Sequence, residues 1–343
     1  MHALTNLELR FIISELQGLV GGRLDNIYGA GERRLRLRFR TRTAGTEDVI
    51  IDLQNKLLYL TKRAEKAPPH PDDFIMGMRK QLENAKVSLI AQHNFDRVVV
   101  LDFEGEAKLH LVIELFSNGN LILCDANYEI MRCLKNEEWK DRLVRPGEKY
   151  AFPSARNVEP SELNEGLLAR LMGEKHIIAT LARAVPVGTM YLEEALAQAD
   201  IDVTEIGRGV DGKRLRKLAE LIGTLCISPS PRIYESSSIS DYALCELSNF
   251  SMAKATPFPT LSECIDELAS KASHMPKQDK AQAEEKERLE HALKEQEATL
   301  SKFEQEATEM KAKGDVIYVN YAEVDAKLKE AKEKKKPKVE LDL

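Results

Sequence analysis

The chain has 343 residues, 43% of them hydrophobic and 31% charged, with a formal charge of −6 at neutral pH. This length calls for two or three folding units, and the acidic balance excludes nucleic-acid binding by bulk charge, leaving only local basic patches. No stretch approaches the roughly 18 uninterrupted apolar residues of a membrane span, and the start Met1-His2-Ala3-Leu4-Thr5 lacks the layout of a signal peptide, so a cytoplasmic protein with no membrane partner is expected.

Leu4, Leu7, Phe11, Ile12, Leu16 and Leu19 give one apolar helix face, ended by Gly21-Gly22. Leu35, Leu37 and Phe39 then alternate with Arg34, Arg36, Arg38 and Arg40, and apolar runs at 49–53 and 56–60 follow across short polar breaks, which predicts a β-meander. The break Pro68-Pro69-His70-Pro71 opens a second helix, capped by Asp72 or Asp73, with Phe74, Met78, Leu82 and Ala85 on one face and Arg79-Lys80 turned outward. Three more strands are expected at 98–103, 108–115 and 120–124, so the sheet is mostly antiparallel.

Pro146-Gly147 and Pro153 close this first unit, and 160–225 reads as short helices with no strand signal. Within it, 177–183 and 191–199 flank the turn Val185-Pro186-Val187-Gly188, the pattern of a helix-hairpin-helix. Residues 228–260, broken by Ser228-Pro229-Ser230-Pro231 and Pro257-Phe258-Pro259, read as a connection with some β-structure returning to the first unit. From Gln278 onward Leu289, Leu293, Gln296, Leu300, Phe303, Ala307 and Met310 form a heptad seam, with a bend expected at Gly314. The chain ends soon after Lys334-Lys335-Lys336 without an antiparallel mate for that helix, which reads as a fragment or a shortened protein. The architecture expected is therefore α+β: sheet unit 1–155, helical unit 156–226, connection 227–276 and coiled-coil arm 277–336.

Five scattered cysteines, Cys124, Cys133, Cys226, Cys245 and Cys264, have no CxxC pair or neighbouring histidine at zinc spacing; they read as structural thiols, and no metal or other cofactor is expected. The seven histidines are isolated, and neither a glycine-rich phosphate loop nor a nucleophile elbow is present, so nothing points to a catalytic centre or a small-molecule substrate.

Two segments carry candidate binding chemistry. Arg34, Arg36, Arg38, Arg40 and Arg42 fall on one strand face about 7 Å apart, where like charges repel; either phosphates or acidic residues of the next strand must offset them, so the first four are candidate phosphate contacts. The second segment runs from Phe74 to Asp102, where adjacent Asp96 and Arg97 at a strand entrance offer an acceptor and a bidentate donor able to read a base edge or clamp a ribose-phosphate, or form a local ion pair. His93, three residues away, is either an RNA contact or a surface histidine without a role.

The helix Phe74-Ile75-Met76-Gly77-Met78-Arg79-Lys80-Gln81-Leu82 followed by Asp96-Arg97 resembles the N-terminal domain of the NFACT family, also called the fibronectin-binding protein A domain. Leu24-Asp25-Asn26-Ile27-Tyr28, Glu114 with Asn120 to Asp125, Arg145-Pro146-Gly147-Glu148-Lys149-Tyr150 and Gly314-Asp315-Val316-Ile317-Tyr318 extend the resemblance over nearly the whole chain. The resemblance implies an archaeal-like, RqcH-type ribosome quality control factor. Such a factor binds the obstructed large ribosomal subunit through rRNA and recruits tRNA, with alanine in prokaryotic members, for template-free C-terminal tailing; it is not an enzyme. It also implies tRNA contacts by Asp96 and Arg97, joined by Arg79, Lys80 and Glu8.

Three departures qualify what carries over: Glu8 stands where many members have aspartate, Pro186 occupies the hairpin where glycine is common, and the 343 residues are expected to lack the C-terminal RNA-binding domain of full-length relatives. The family fold is similar to that of formamidopyrimidine-DNA glycosylases, so a glycosylase-like enzyme is the alternative, although residue 2 is His rather than a nucleophilic proline. A fibronectin-binding adhesin is a third reading, drawn from the older family name.

Overall fold

The computed structural model describes residues 1–31, 33–63, 71–139, 142–154, 157–225, 227, 229–236 and 240–274, with scattered positions between 310 and 329. The chain divides into two compact units, Met1–Lys271 and Ala272–Leu343. Most of the expected coiled-coil arm, 277–336, lies outside the described residues.

Helix α1 (Asn6–Leu16) starts with a reciprocal capping box, in which the Thr5 hydroxyl accepts from the Glu8 amide and the Glu8 carboxylate accepts from the Thr5 amide. Nine strands follow: β1 (Arg23–Gly31), β2 (Arg34–Thr41), β3 (Gly45–Asp52), β4 (Leu57–Thr61), β5 (Lys86–Gln92), β6 (Val98–Glu104), β7 (Lys108–Glu114), β8 (Asn120–Cys124) and β9 (Ile130–Cys133). They form one sheet, ordered β4-β3-β2-β1-β5-β6-β7-β8-β9, with every neighbouring pair antiparallel. Strands β1 and β5 were not expected as strands. Gly29, Ala30 and Gly31 dilute the pattern of the first, and a register shift between Val87 and Leu89 breaks the alternation of the second.

Helix α2 (Asp73–Leu82) is inserted between β4 and β5; its cap is Asp72, whose carboxylate accepts from the Ile75 amide at 2.8 Å. The pairs Leu35–Ile51 and Leu37–Val49 share the core face of β2 and β3, and α1 packs on β4 and β5. Strand β6 is buried on both faces. Val99, Leu101 and Phe103 join the main core, while Val98 and Val100 join a second cluster with Val112, Ile122, Ile130, Val144 and Tyr150. That second cluster explains the continuous apolar runs of β6 to β8, which lack the alternation of a half-solvated sheet. A short pair, β10 (Glu137–Glu138) and β11 (Leu143–Val144), follows β9.

Four helices then form the middle of the chain: α3 (Glu165–Leu171), α4 (Ile177–Ala184), α5 (Thr189–Gln198) and α6 (Gly212–Thr224). The returning segment contains more β-structure than the proline-rich sequence suggested: β12 (Arg232–Glu235) pairs with β13 (Ser240–Ala243) and β14 (Lys254–Pro257). Helix α7 begins at Leu261, its first amides at Leu261 and Ser262 donating to the Glu15 carboxylate of α1. Residues of the sheet, the helices α3 to α6 and the returning strands belong to one continuous apolar core.

The turn from α4 to α5 docks on the start of α1. Gly188 has φ +113, and a Cβ there would lie 2.7 Å from Thr5 Cγ2 and 3.0 Å from the Tyr191 ring. Gly188→Ala is expected to destabilise the fold by about 1–3 kcal/mol, read as a lower urea midpoint at unchanged m-value.

Candidate nucleic-acid interface

Asp96 and Arg97 close the loop between β5 and β6. His93 N donates to Val98 O at 2.9 Å and Asp96 N to His93 O at 2.8 Å, which forces Asn94 and Phe95 into left-handed backbone, φ +45 and +51. Two such residues in succession cost about 1–2 kcal/mol each. Burial of the Phe95 ring, 1% exposed, returns about 1.5–3 kcal/mol; the remainder must come from polar contacts.

Those contacts converge on the loop from distant chain segments. Phe95 O accepts from Asn6 Nδ2 of α1 at 2.7 Å and from Asn157 Nδ2 at 3.2 Å. Gln92 Nε2 bridges Asn6 O at 2.8 Å and Asp96 O at 3.0 Å. Arg10, one helical turn beyond Asn6, lies 4.6 Å over the Phe95 ring and pairs with Glu159 at 3.0 Å. None of Asn6, Arg10, Gln92 or Asn157 was singled out from sequence. No local pattern marks them, since each acts on a residue brought near only by the fold.

The resulting loop is preorganised. The Asp96 carboxylate accepts from the Arg97 amide at 2.7 Å, and Arg97 O accepts from the Leu115 amide at 2.8 Å. The Arg97 guanidinium is half-buried and, among the described residues, has no hydrogen-bond or ion-pair partner. Burial pushes its pKa below the usual arginine value, and the nearby Asp96 charge only partly opposes this. A half-desolvated guanidinium without a partner among the described residues has the chemistry to receive an anion.

His93 has a place in this loop that the sequence did not reveal. Its ring stacks on Phe152 at 3.8 Å, Phe152 meets Tyr128 edge-on at 5.4 Å, and Tyr128 stacks on His110 at 4.1 Å. Burial lowers the His93 pKa, so the ring is neutral at pH 7 and acts as an aromatic plate. Nearby, the buried Glu114 accepts from Arg142 and from Tyr150 Oη at 2.8 Å, and desolvation with the Glu114 charge pushes the Tyr150 phenol far up.

The arginine face of β2 is largely answered from within. Arg38 makes two bonds to Asp48, at 2.9 and 3.0 Å, Arg36 reaches the same carboxylate at 3.4 Å, Arg40 pairs with Asp25, and Arg34 approaches Asp52 at 3.9 Å while donating to Tyr59 Oη at 2.8 Å. Antiparallel register dictates this, because Arg38 lies opposite Asp48 and Arg34 opposite Asp52. Arg36 is 5% exposed, so as folded it is a structural cation and not an open phosphate contact. Strand β2 ends at Thr41, leaving Arg42 outside the face on which it was expected. Arg79 donates its Nε to Ile27 O at 2.7 Å with its guanidinium 5.5 Å from the Tyr28 ring, and Lys80 is exposed in the last turn of α2.

Glu8 is reassigned. Expected at a tRNA-contacting surface, it is 0% exposed. One carboxylate oxygen accepts from Tyr191 Oη at 2.6 Å and from His2 Nε2 at 2.9 Å, and the other from the Thr5 amide at 2.8 Å. His2 Nδ1 meets Asp241 at 2.9 Å and its ring stacks on Tyr242 at 4.3 Å. With a carboxylate at each ring nitrogen both must carry protons. Although burial opposes charge, the two carboxylates outweigh it and raise the His2 pKa to about 10. The group ties the N-terminus to α5 and β13, and both Glu8 oxygens are engaged within it.

This architecture, an antiparallel sheet with a helical insertion and a returning strand segment, defines a known fold class. It is shared with the fibrinogen binding protein of Staphylococcus aureus, at TM-score 0.66 and 18% identity over 76% of this chain and 97% of that one. It is shared equally with the N-terminal part of the fibronectin/fibrinogen-binding protein of Streptococcus suis, at TM-score 0.64 and 19% identity over 78% of this chain and 100% of that one. The chain belongs to the NFACT family: residues 5–341 match the profile of the NFACT N-terminal and middle domains. It is 29% identical to the archaeal Rqc2 homolog aRqcH of Methanocaldococcus jannaschii over 96% of this chain and 52% of that protein. The human ribosome quality control complex subunit NEMF matches at 24% identity over 94% of this chain and 33% of its own length. The chain thus spans about half the length, or less, of these curated relatives.

Proposed function

We propose that this chain is the tRNA-binding part of a cytoplasmic ribosome quality control factor, without a catalytic centre of its own. The names of its relatives support the ribosome quality control role, and the observation that carries the tRNA reading is the half-buried Arg97 guanidinium, unpaired among the described residues and held beside Asp96 on a braced loop. A rigid acceptor and fork donor side by side suit a nucleotide, with the fork on phosphate or a base edge and the carboxylate on an amino or ribose hydroxyl group. In this reading the large ribosomal subunit and its rRNA are engaged by the arm at 277–336, and the tRNA recruited is tRNA-Ala for tailing of the stalled chain.

The bracing of the loop is part of the reading and can be tested apart from its charges. Asn157→Ala removes one of the two donors to Phe95 O while leaving Asp96 and Arg97 in place. tRNA affinity should fall by about three- to tenfold, with stability lowered by about 1 kcal/mol. Filter binding at fixed salt, beside a urea titration, measures both; unchanged affinity in a destabilised variant would show that loop geometry is irrelevant to binding.

A further inference from the structure

A cavity of about 190 Å³ opens between the β1–β2 hairpin and α2, lined by Gly29, Gly31, Arg33, Arg34, Phe74 and Arg79 among others. We infer that it is a receptor for a phosphate monoester, carried either on the 5′ end of an RNA or on a free nucleotide. It lies on different elements from the β5–β6 loop of Asp96 and Arg97 and holds regardless of whether tRNA is the partner there; only the RNA source rests on the function proposed above.

Charge is the first argument. Among the described residues three guanidinia, Arg33, Arg34 and Arg79, line the cavity against one carboxylate, Asp72; Arg34 is already drawn to Asp52 at 3.9 Å and bonded to Tyr59 Oη, so the excess charge is that of Arg33 and Arg79. Asp72 is already engaged in capping α2 through the Ile75 amide. Arg33 donates to the main-chain carbonyls of Asn118 and Gly119, at 2.5 and 2.6 Å, rather than to an acid. Arg79 likewise spends its Nε on Ile27 O, and among the described residues its two terminal nitrogens have no hydrogen-bond or ion-pair partner. Carbonyls fix the direction of a guanidinium without cancelling its charge, so the excess stays in the cavity. A phosphate monoester brings about −1.5 to −2 and three acceptor oxygens, enough to engage the Arg33 and Arg79 forks together, which the two oxygens of a monocarboxylate serve less well.

Shape is the second argument. Gly31, at φ +135, ends β1 and Arg33, at φ +53, stands just before β2, and the Arg33 and Arg34 side chains line the cavity. Phe74, Leu35, Ile75 and Leu134 supply an apolar wall on which a ribose or base can rest. The volume admits a phosphate and part of its sugar and is too large for a lone water.

The test is ligand-induced stabilisation of the full chain by inorganic phosphate, AMP and adenosine at low ionic strength, followed by tRNA with and without its 5′-phosphate. AMP and phosphate should raise the melting temperature and adenosine should not. Arg79→Ala should weaken AMP by about tenfold or more, measured against that variant's own ligand-free melting. Arg79→Lys, which keeps the charge and stem but loses the fork, should weaken it less and serves if the alanine variant fails to fold. Removing the tRNA 5′-phosphate should weaken tRNA binding about tenfold in the wild type but not in Arg79→Ala if the source is RNA; an AMP effect without this difference assigns the site to a free nucleotide. Absence of any phosphate or AMP effect in the wild type, or an effect equal in Arg79→Ala, overturns the inference. AMP stabilisation that depends on Arg79 in a protein that does not bind tRNA would overturn the tRNA proposal and leave the cavity's assignment intact.

Discussion

Replacing Arg97 by alanine is expected to lower tRNA affinity by about 10- to 100-fold while leaving the fold as stable as before or slightly more so. The two halves have one cause. The guanidinium is half-buried without a protein partner among the described residues, and its lowered pKa records the unfavourable desolvation of its charge. Folding carries that penalty, which Asp96 offsets only in part and a bound anion would relieve, so removing the group removes a penalty from the free protein and a contact from the complex. A charge-assisted bond is worth about 1.5–3 kcal/mol, which sets the range of affinity loss. A fork-to-phosphate contact should also reduce the slope of log K against log salt by about one unit. Isothermal titration at three salt concentrations, with urea unfolding of the same variant, reads all three quantities. A variant that binds tRNA as tightly as the wild type would remove the basis for the proposed function; one that loses binding only by unfolding would make Arg97 a structural residue.

The second large effect is expected at Glu8, in stability rather than in binding. The Glu8→Gln side chain has nearly the same shape, but its amide nitrogen must face a donor wherever it points. One carboxylate oxygen receives the Thr5 amide, and the other receives Tyr191 Oη, whose own acceptor role is taken by the Leu244 amide at 3.0 Å. The substitution also leaves the His2 imidazolium with Asp241 alone. Removing one partner of a buried charge pair costs about 3–5 kcal/mol, so a drop of that order in unfolding free energy is expected at pH 7.

The same network predicts a pH dependence with a definite sign. His2 titrates near 6.5 when unfolded and near 10 when folded, so the folded state binds its proton more tightly. The stabilisation is fully present below pH 6.5 and is lost as pH rises towards 10. The buried thiols of Cys124 and Cys264, pushed up to about 12, act in the same direction at high pH. The decisive quantity is therefore the difference between wild type and Glu8→Gln, which should shrink steadily between pH 7 and 10. A constant difference across that window would mean that His2 is not held as the cation.

Local signals in the sequence located the elements whose cause is local. Asp72 caps α2 because it is an acceptor two residues before the first apolar position of an amphipathic pattern. The alternation of Leu35, Leu37 and Phe39 with arginines specified β2, and the acids that neutralise it stand in the next strand, where antiparallel register puts them opposite. The Asp96-Arg97 pair was visible as a motif, and the family it implied is the one to which the chain belongs.

What only the tertiary structure decided depends on groups far apart in sequence. Phe95 O is held by Asn6 and Asn157, 89 and 62 positions away, and an asparagine on a helix carries no local mark of such a partner. The family resemblance made Glu8 a tRNA contact in the place of an aspartate. It is buried because Tyr191, 183 positions on, brings a phenol to it, and because His2, held by Asp241, brings an imidazolium. The sequence by itself therefore determined most of the helices and strands, though not β1 or β5, and which residues carry charge, since these follow from periodicity and side-chain chemistry. Whether a given charge is spent within the fold, as at Glu8 and Arg36, or left without an ionic partner among the described residues, as at Arg97 and Arg79, was decided by packing, because an ion's partner is fixed by distances of a few ångströms that no linear pattern records.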